Sequence, residues 1–444
     1  MRTTLLVLIL AACARPAPPA AIHHADAVAG VEHPALAQLL HDEWEHTLRE
    51  SPVWASMLGD ERYSDQLPDS SPDGIQRRKA ATRAFLDRAR ALDTTQLSVS
   101  DALTHALFIE SLERGIAGEI CQTRTWSISA RSNPVVNFNS LPNRVAHEAP
   151  QDRADLLARY DQIPRAIEFQ IVHLRTGIST GRVATAESVS RVVQITRAQL
   201  EQPVEDWPLM KPGGDDFRAA VDGPIRTALE DYLAFLETEL LPSARSGEDI
   251  GMSGMTGGDA CYQTRIQHFT SLELSADEIH QIGLDELARI HEELAVLGER
   301  VLGTADKAEI AHRLRTDPEL FFQSSEQVAE AASVALERAE EAMGDWFGVL
   351  PQADCVVVPI PDYEAPFTTI AYYSQATDSK PGEYYINTHA PETRPRFEAE
   401  VLAWHEAIPG HHLQIAIARE LDALPAFRRY MESTVIVEGW ALYT

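Results

Sequence analysis

The sequence predicts a mainly α-helical protein with one small antiparallel β-sheet placed just before its last helices. Three observations lead there. Apolar residues recur at three- and four-residue spacing in a series of segments between residues 34 and 346. One later stretch, 354–389, is instead rich in β-branched and aromatic residues separated by Gly, Pro and Asp. No internal repeat of fixed period is present.

At 444 residues the chain can bury a large core, in at most two or three structural units. It carries 38 Lys and Arg against 67 Asp and Glu, a formal net charge of −29. That balance excludes a nucleic-acid binder, because phosphate contacts need a basic face.

The order of segments starts with Met1-Arg2 and an apolar run from Leu5 to Ala12. The run is too short to span a bilayer and reads as a signal peptide. Leu10-Ala11-Ala12-Cys13 resembles a bacterial lipobox. That likeness implies cleavage before Cys13 and acylation of its thiol, and several acyl chains anchor a protein stably. Ala14 after the cysteine implies the outer membrane, facing the periplasm. Residues 1–13 are therefore the signal segment, and 14–33, rich in Pro and Ala at its start, a flexible tether.

An N-terminal helical region follows over 34–243. Helical spacing covers 34–50, 74–92 and 97–117, with a Ser/Pro/Asp break at 64–73 and a helix start at Ser98. Residues 122–150 are irregular. Helices resume at 151–177, 184–203 and 217–242; the last, with Ile225, Leu229, Tyr232, Leu233 and Leu236 on one side, is a core helix. Residues 244–273 form a Gly-rich connector that lacks the lysine of a phosphate loop, so a mobile link is expected there.

The remaining region, 274–444, opens with a helix from Ser275 to about residue 300, where Glu278 completes a capping box. His280 on it reads as solvated or structural. Helices at about 305–315 and 325–346 follow, the latter with a solvated acidic face at Glu337 to Glu341. The strands are then Cys355–Ile360, Thr368–Tyr373 and Glu383–Thr388. Cys121, Cys261 and Cys355 lie far apart with no Cys-x-x-Cys spacing, so buried free thiols are the default, with one disulfide open as an alternative.

The chemistry concentrates in Trp404-His405-Glu406-Ala407-Ile408-Pro409-Gly410-His411-His412-Leu413-Gln414. The zinc-peptidase pattern His-Glu-x-x-His places two histidines one turn apart and uses the Glu as general base. Here the second histidine position holds Pro409. His411 and His412, six and seven residues after His405, are the candidates for the second ligand. A proline clashes with the carbonyl four residues back, which is that of His405, so the helix must break there, with Gly410 tolerating the geometry. Helical facing favours His412, and His411 stays open as the alternative. Glu438, 33 residues after His405, sits among Val435, Ile436, Val437, Trp440 and Leu442, where an unpaired carboxylate is costly. A metal would satisfy it.

His405 to Gln414 resembles the signature of the bacterial domain-of-unknown-function family 885, many of whose members are lipoproteins. Glu438 to Tyr443 resembles its second motif and Leu274 to Leu284 a third. The likeness runs from about residue 35 to the end. It implies a multi-helix, zinc-metallopeptidase-like architecture, with Glu438 as third ligand and a further helical segment beyond Thr444. The expected site is Zn²⁺ on His405, His412 (or His411) and Glu438, with Glu406 as general base and Tyr385 as a candidate donor to the oxyanion. Tyr372 and Tyr373 are candidates for lining the cleft. The strand from Tyr384 to Asn387 would pair with a peptide substrate, as edge strands do beside such helices. Two other classes fit the same residues. One is a non-catalytic envelope scaffold with a closed metal site; the other is a non-haem iron oxygenase, since two His and a carboxylate also describe that triad. Glu406 beside the first ligand speaks against oxidation, which needs no such base. Composition implies no oligomeric state.

Overall fold

Several helices start where the sequence supplies a cap. In the computed structural model, which describes residues 24–361, 365–376, 380–431 and 433–444, Ser98 accepts a hydrogen bond from the Asp101 N–H. Ser275 and Glu278 form the expected reciprocal box. The signal segment, Cys13 and the first part of the tether lie outside the described residues. The rest of the presumed tether is folded: His24–Ala27 is helical, Ala27 is buried, and the N–H groups of Glu32 and His33 donate to Asp101.

The labelled helices of the N-terminal half are α1 (Pro34–Glu50), α2 (Pro72–Arg90), α3 (Val99–Gly118), α4 (Pro150–Thr180), α5 (Ala186–Glu201) and α6 (Arg226–Phe235). The last belongs to a continuous helical run from Asp215 to Ser243 that widens into π-turns at Val221–Ile225 and Leu236–Leu240. The first π-turn holds Pro224, whose missing N–H removes an α-type bond. Ile225, Leu229, Tyr232 and Leu236 are buried in the largest core, as their spacing predicts, and Leu233 packs at its edge. Arg159 of α4 is 1 % exposed and donates to the carbonyls of Pro52, Tyr63 and Gln66 and to Ser56 Oγ. It gathers the segment after α1, the short helix Pro52–Met57 and the turn that follows it, around one cation.

The Gly-rich connector is more ordered than its composition suggests. Arg245 donates to the carbonyls of Val183, Asp249, Ile250 and Gly251. Residues Gly258–Thr270 form a helix, α7. A disulfide joins Cys261 of α7 to Cys121 at the end of α3, so the reading of these two as free thiols is corrected; Cys355 is free and buried. Two cysteines 140 residues apart give no pairing signal in a sequence.

Then come α8 (Ala276–Leu302), α9 (Lys307–Thr316) and α10 (Ser325–Trp346). Of the 27 residues of α8 only Gly298 is buried. His280 is exposed, as expected.

The sheet has three strands, β1 (Cys355–Pro359), β2 (Ala371–Ser374) and β3 (Gly382–Ile386), in the order β1-β3-β2. It is mixed, not antiparallel: β1 and β3 are parallel, β2 and β3 antiparallel. The antiparallel expectation assumed that consecutive strands are neighbours. The link from residue 360 to 370 is long enough to skip a place, and β3 returns into the gap. Asn387 fixes that link by donating to the carbonyls of Ala365 and Thr369. Hence β3, expected to pair with substrate, is the central strand with both edges occupied, and β2 is the edge strand beside the next helix.

The last labelled helices are α11 (Ala399–Glu406), α12 (His411–Glu420) and α13 (Thr434–Tyr443). The sheet, α10 and α11 share a second core around Tyr384, Ala403 and Ala407. Residues Ala426 and Phe427, between α12 and α13, pack onto the first helices beside Trp44 and Phe108, so the metal-site region is fastened to the N-terminal half. Among the described residues no helix is long and apolar enough to cross a membrane.

Candidate metal centre

The break expected at Pro409 divides the His-Glu stretch into two helices. α11 ends at Glu406 and α12 begins at His411, with four residues of turn between. Ala407 N–H still bonds Ala403 O, and His412 N–H reaches Ala407 O, so the turn is closed at both sides. Gly410 is needed for space at the turn. Its φ is −76°, but a Cβ there would lie 2.0 Å from the His405 carbonyl oxygen and 2.3 Å from that of Trp404. The break folds the chain onto itself so tightly that only a hydrogen fits.

This fold-back brings His411, not His412, to His405. Their rings meet edge to face with centroids 4.7 Å apart. Glu438 of α13 joins them, its Oε2 3.6 Å from His405 Nε2 and 3.8 Å from His411 Nε2. The three candidate ligand atoms lie within 4.8 Å of one another. Trp440, two residues on, donates from its indole N–H to Pro409 O at 2.7 Å, which fastens the Glu438 helix to the break.

His412, favoured on straight-helix facing, is elsewhere because the helix is not straight. It is fully buried, with Nε2 2.9 Å from Ala353 O and Nδ1 2.9 Å from the Tyr373 hydroxyl. A carbonyl only accepts, so Nε2 carries the proton and Nδ1 accepts from the tyrosine. Both nitrogens are engaged, leaving no lone pair for a metal. Gly382 makes room for the pair, since a Cβ there would lie 2.6 Å from each partner atom.

Glu406 lies beside the cluster, with Oε2 3.9 Å from His411 Nε2 and its side chain 12 % exposed. Burial first, and the Glu438 carboxylate second, push its carboxyl up to about 7, against a hydrogen bond from the Tyr373 backbone. Burial likewise holds the His411 imidazole below its ordinary value, with Glu438 pulling the other way. Glu438 itself is more open, its side chain 58 % exposed.

Strand alternation sorts the tyrosines. Tyr373 and Tyr384 are cross-strand partners, and so are Tyr372 and Tyr385 on the opposite face. Tyr384 is fully buried in the core shared with α11, its hydroxyl has no partner among the described residues, and the nearby Glu406 charge adds to burial in raising its pKa. Tyr385 instead stacks on Tyr372 and donates to Glu383. The structure thus turns Tyr384 toward the His-Glu helix and Tyr385 away from it. Alternation puts Tyr384 and Tyr385 on opposite faces of one strand, and only the packing of the sheet shows which face meets the helix.

The geometry fits a divalent cation. Tetrahedral Zn²⁺ with bonds of about 2.0–2.1 Å sets its ligand atoms roughly 3.3 Å apart, a contraction of a few tenths of an ångström from the 3.6 and 3.8 Å of the two Glu438–histidine pairs. The trio as a whole spans up to 4.8 Å, and the two histidine rings must close further. His411 Nδ1 is buried with no partner among the described residues.

A mainly helical fold with a His-His-Glu cluster across a helix break defines the class. The chain belongs to the family described as bacterial proteins of unknown function, DUF885, which it matches over residues 52–444. No curated protein matches it. Among solved structures it is similar to a protein of Colwellia psychrerythraea described as a putative lipoprotein, with 20 % identity and a TM-score of 0.83, covering 92 % of this chain and 76 % of that one. A second, from Shewanella oneidensis and also described as a putative lipoprotein of unknown function, is 18 % identical with a TM-score of 0.64 and the same coverage. At these identities the likeness establishes the fold alone.

Proposed function

We propose that this chain is a zinc-dependent hydrolase of the cell envelope that cleaves peptides. The observation that carries the reading is the convergence of His405, His411 and Glu438, with the half-buried Glu406 carboxylate alongside. Two histidines and one carboxylate leave a position open, the arrangement of catalytic rather than closed structural zinc sites. When bound, zinc supplies Lewis acidity that lowers the pKa of water toward about 7.

The residues of the chain do the rest. Glu406 takes a proton from the attacking water at its carboxylate and later returns it to the leaving amine. The Tyr373 backbone orients that carboxylate. An extended peptide beside β2 would add to the sheet along the strand next to α11.

An envelope location is supported by the lipobox at Cys13 and by the Cys121–Cys261 disulfide, which persists in oxidising compartments. Mass spectrometry of membrane fractions tests the anchor: acylated Cys13 is expected, and an unmodified soluble N-terminus refutes it. Metal analysis after purification without chelator, followed by Glu406→Gln, tests the chemistry. The expected result is about one zinc in both proteins, with peptide hydrolysis falling roughly 10²–10⁴-fold in the variant. Stoichiometric iron would favour the oxygenase reading. Loss of zinc in Glu406→Gln would make Glu406 a fourth ligand and the protein a metal-bearing scaffold.

A further inference from the structure

Two polar atoms on α12 are buried with no partner among the described residues: His411 Nδ1 and Gln414 Oε1. They are complementary. With Nε2 turned to Glu438 and Glu406, the tautomer that frees Nε2 as a ligand carries its proton on Nδ1, a donor. Gln414 Oε1 is an acceptor. The residues are three apart on one helix, so their Cβ atoms lie about 5–6 Å from each other on a shared face. Helical side chains lean toward the N-terminus, which carries the Gln414 amide back over the His411 ring. Leaving either atom buried and unpaired is costly, and a hydrogen bond between them would satisfy both.

We propose that Gln414 is a positioning residue of the metal centre: its Oε1 accepts the His411 Nδ1–H and so fixes the tautomer and ring angle that present Nε2 to the cation. This rests on the cation-binding reading above. The neighbouring histidine shows the contrast. His412 has a partner on each nitrogen and is a strut; His411 has an unpaired Nδ1, and a partner there orients its ring while Nε2 stays free. A neutral amide also orients the ring without adding charge to a site that already holds Glu406 and Glu438.

The test uses the full chain, stripped of metal and titrated with Zn²⁺ alone against a chromogenic chelator. Gln414→Met keeps the length and removes the acceptor; Gln414→Glu keeps the acceptor. Gln414→Met should bind zinc about 10–100-fold more weakly, with an unchanged melting temperature of the metal-free chain, while Gln414→Glu retains wild-type affinity or better. In spectra of ¹⁵N-histidine protein with zinc, the His411 Nδ1–H resonance should be protected in wild type and in Gln414→Glu, and exchange rapidly in Gln414→Met. Wild-type affinity and a protected Nδ1–H in Gln414→Met would overturn the assignment while leaving the metal centre standing. A wild-type chain that binds no zinc would overturn the metal centre itself, and this role with it.

Discussion

Gly410→Ala puts the helix break to a quantitative test. The added methyl carbon would start 2.0 Å from His405 O, 2.3 Å from Trp404 O and 2.6 Å from His405 C. All three are backbone atoms, so no side chain can swing aside. Reaching even 3.0 Å requires the two limbs of the break to part by about 1 Å, the difference between that limit and the 2.0 Å contact. Overpacking of this kind costs about 1–3 kcal/mol. The larger effect falls on the site, because the limbs carry His405 and His411: a displacement near 1 Å is worth roughly 10²-fold in rate. Gly439, next to Glu438, supplies the control, since a Cβ there meets nothing within 4 Å and the residue lies inside α13. Gly439→Ala should be neutral or stabilising by about 0.5–1 kcal/mol. Zinc titration and thermal melts of the two variants side by side decide the matter. Equal zinc affinity and melting temperature in Gly410→Ala and wild type would refute the steric argument, and so would equal damage from the two substitutions.

Three further outcomes are expected. Cys121→Ser with Cys261→Ser should lower stability by about 2–4 kcal/mol in denaturant melts, the usual worth of a disulfide closing a long loop; an unchanged midpoint speaks against the bond. Arg159→Met removes the donor to three carbonyls and one hydroxyl, and, with each stranded acceptor costing about 1–3 kcal/mol, it should destabilise by more than ~3 kcal/mol or prevent folding; a mild loss would show that water replaces the guanidinium. Burial raises the Glu43 carboxyl above its ordinary value of 4.5, and Thr47 donates to it. A group that binds its proton more tightly when folded loses its stabilising contribution as pH climbs from the unfolded value through the folded one. Glu43→Gln should therefore melt above wild type at pH 7, with the gap closing toward pH 4, and a gap independent of pH would contradict the assignment.

The sequence made the helices legible because their signals are local. The spacing of Ile225, Leu229, Tyr232 and Leu236 points one way into the core, and the Ser275–Glu278 box fixes a helix start within four residues. The sheet was legible as strands but not as a topology, since β-branched runs do not say which strand fills the middle. At the site, the burial argument for Glu438 fails, since its side chain is 58 % exposed and Val435, Ile436 and Leu442 beside it are exposed as well. His405 and Glu406 follow from residue type and spacing. The choice of His411 over His412 does not, because it depends on how sharply four residues turn, and facing rules assume a straight axis. Trp440 and Gln414 were hidden for a related reason: each acts through a group it holds, and such roles leave no pattern in spacing. Arg245 shows the converse, where glycines suggest motion and one distant guanidinium pins the loop.

The disulfide reaches further than its own helix. α7, which carries Cys261, packs against α3 on one side and against α13, the helix of Glu438, on the other. A thiol reductant in the purification buffer would thus slacken the floor beneath one candidate ligand without touching the ligand itself. Chelators and reductants would both yield protein poor in metal, but by separable routes. Chelated protein should recover on adding zinc back, whereas reduced protein should recover fully only after reoxidation.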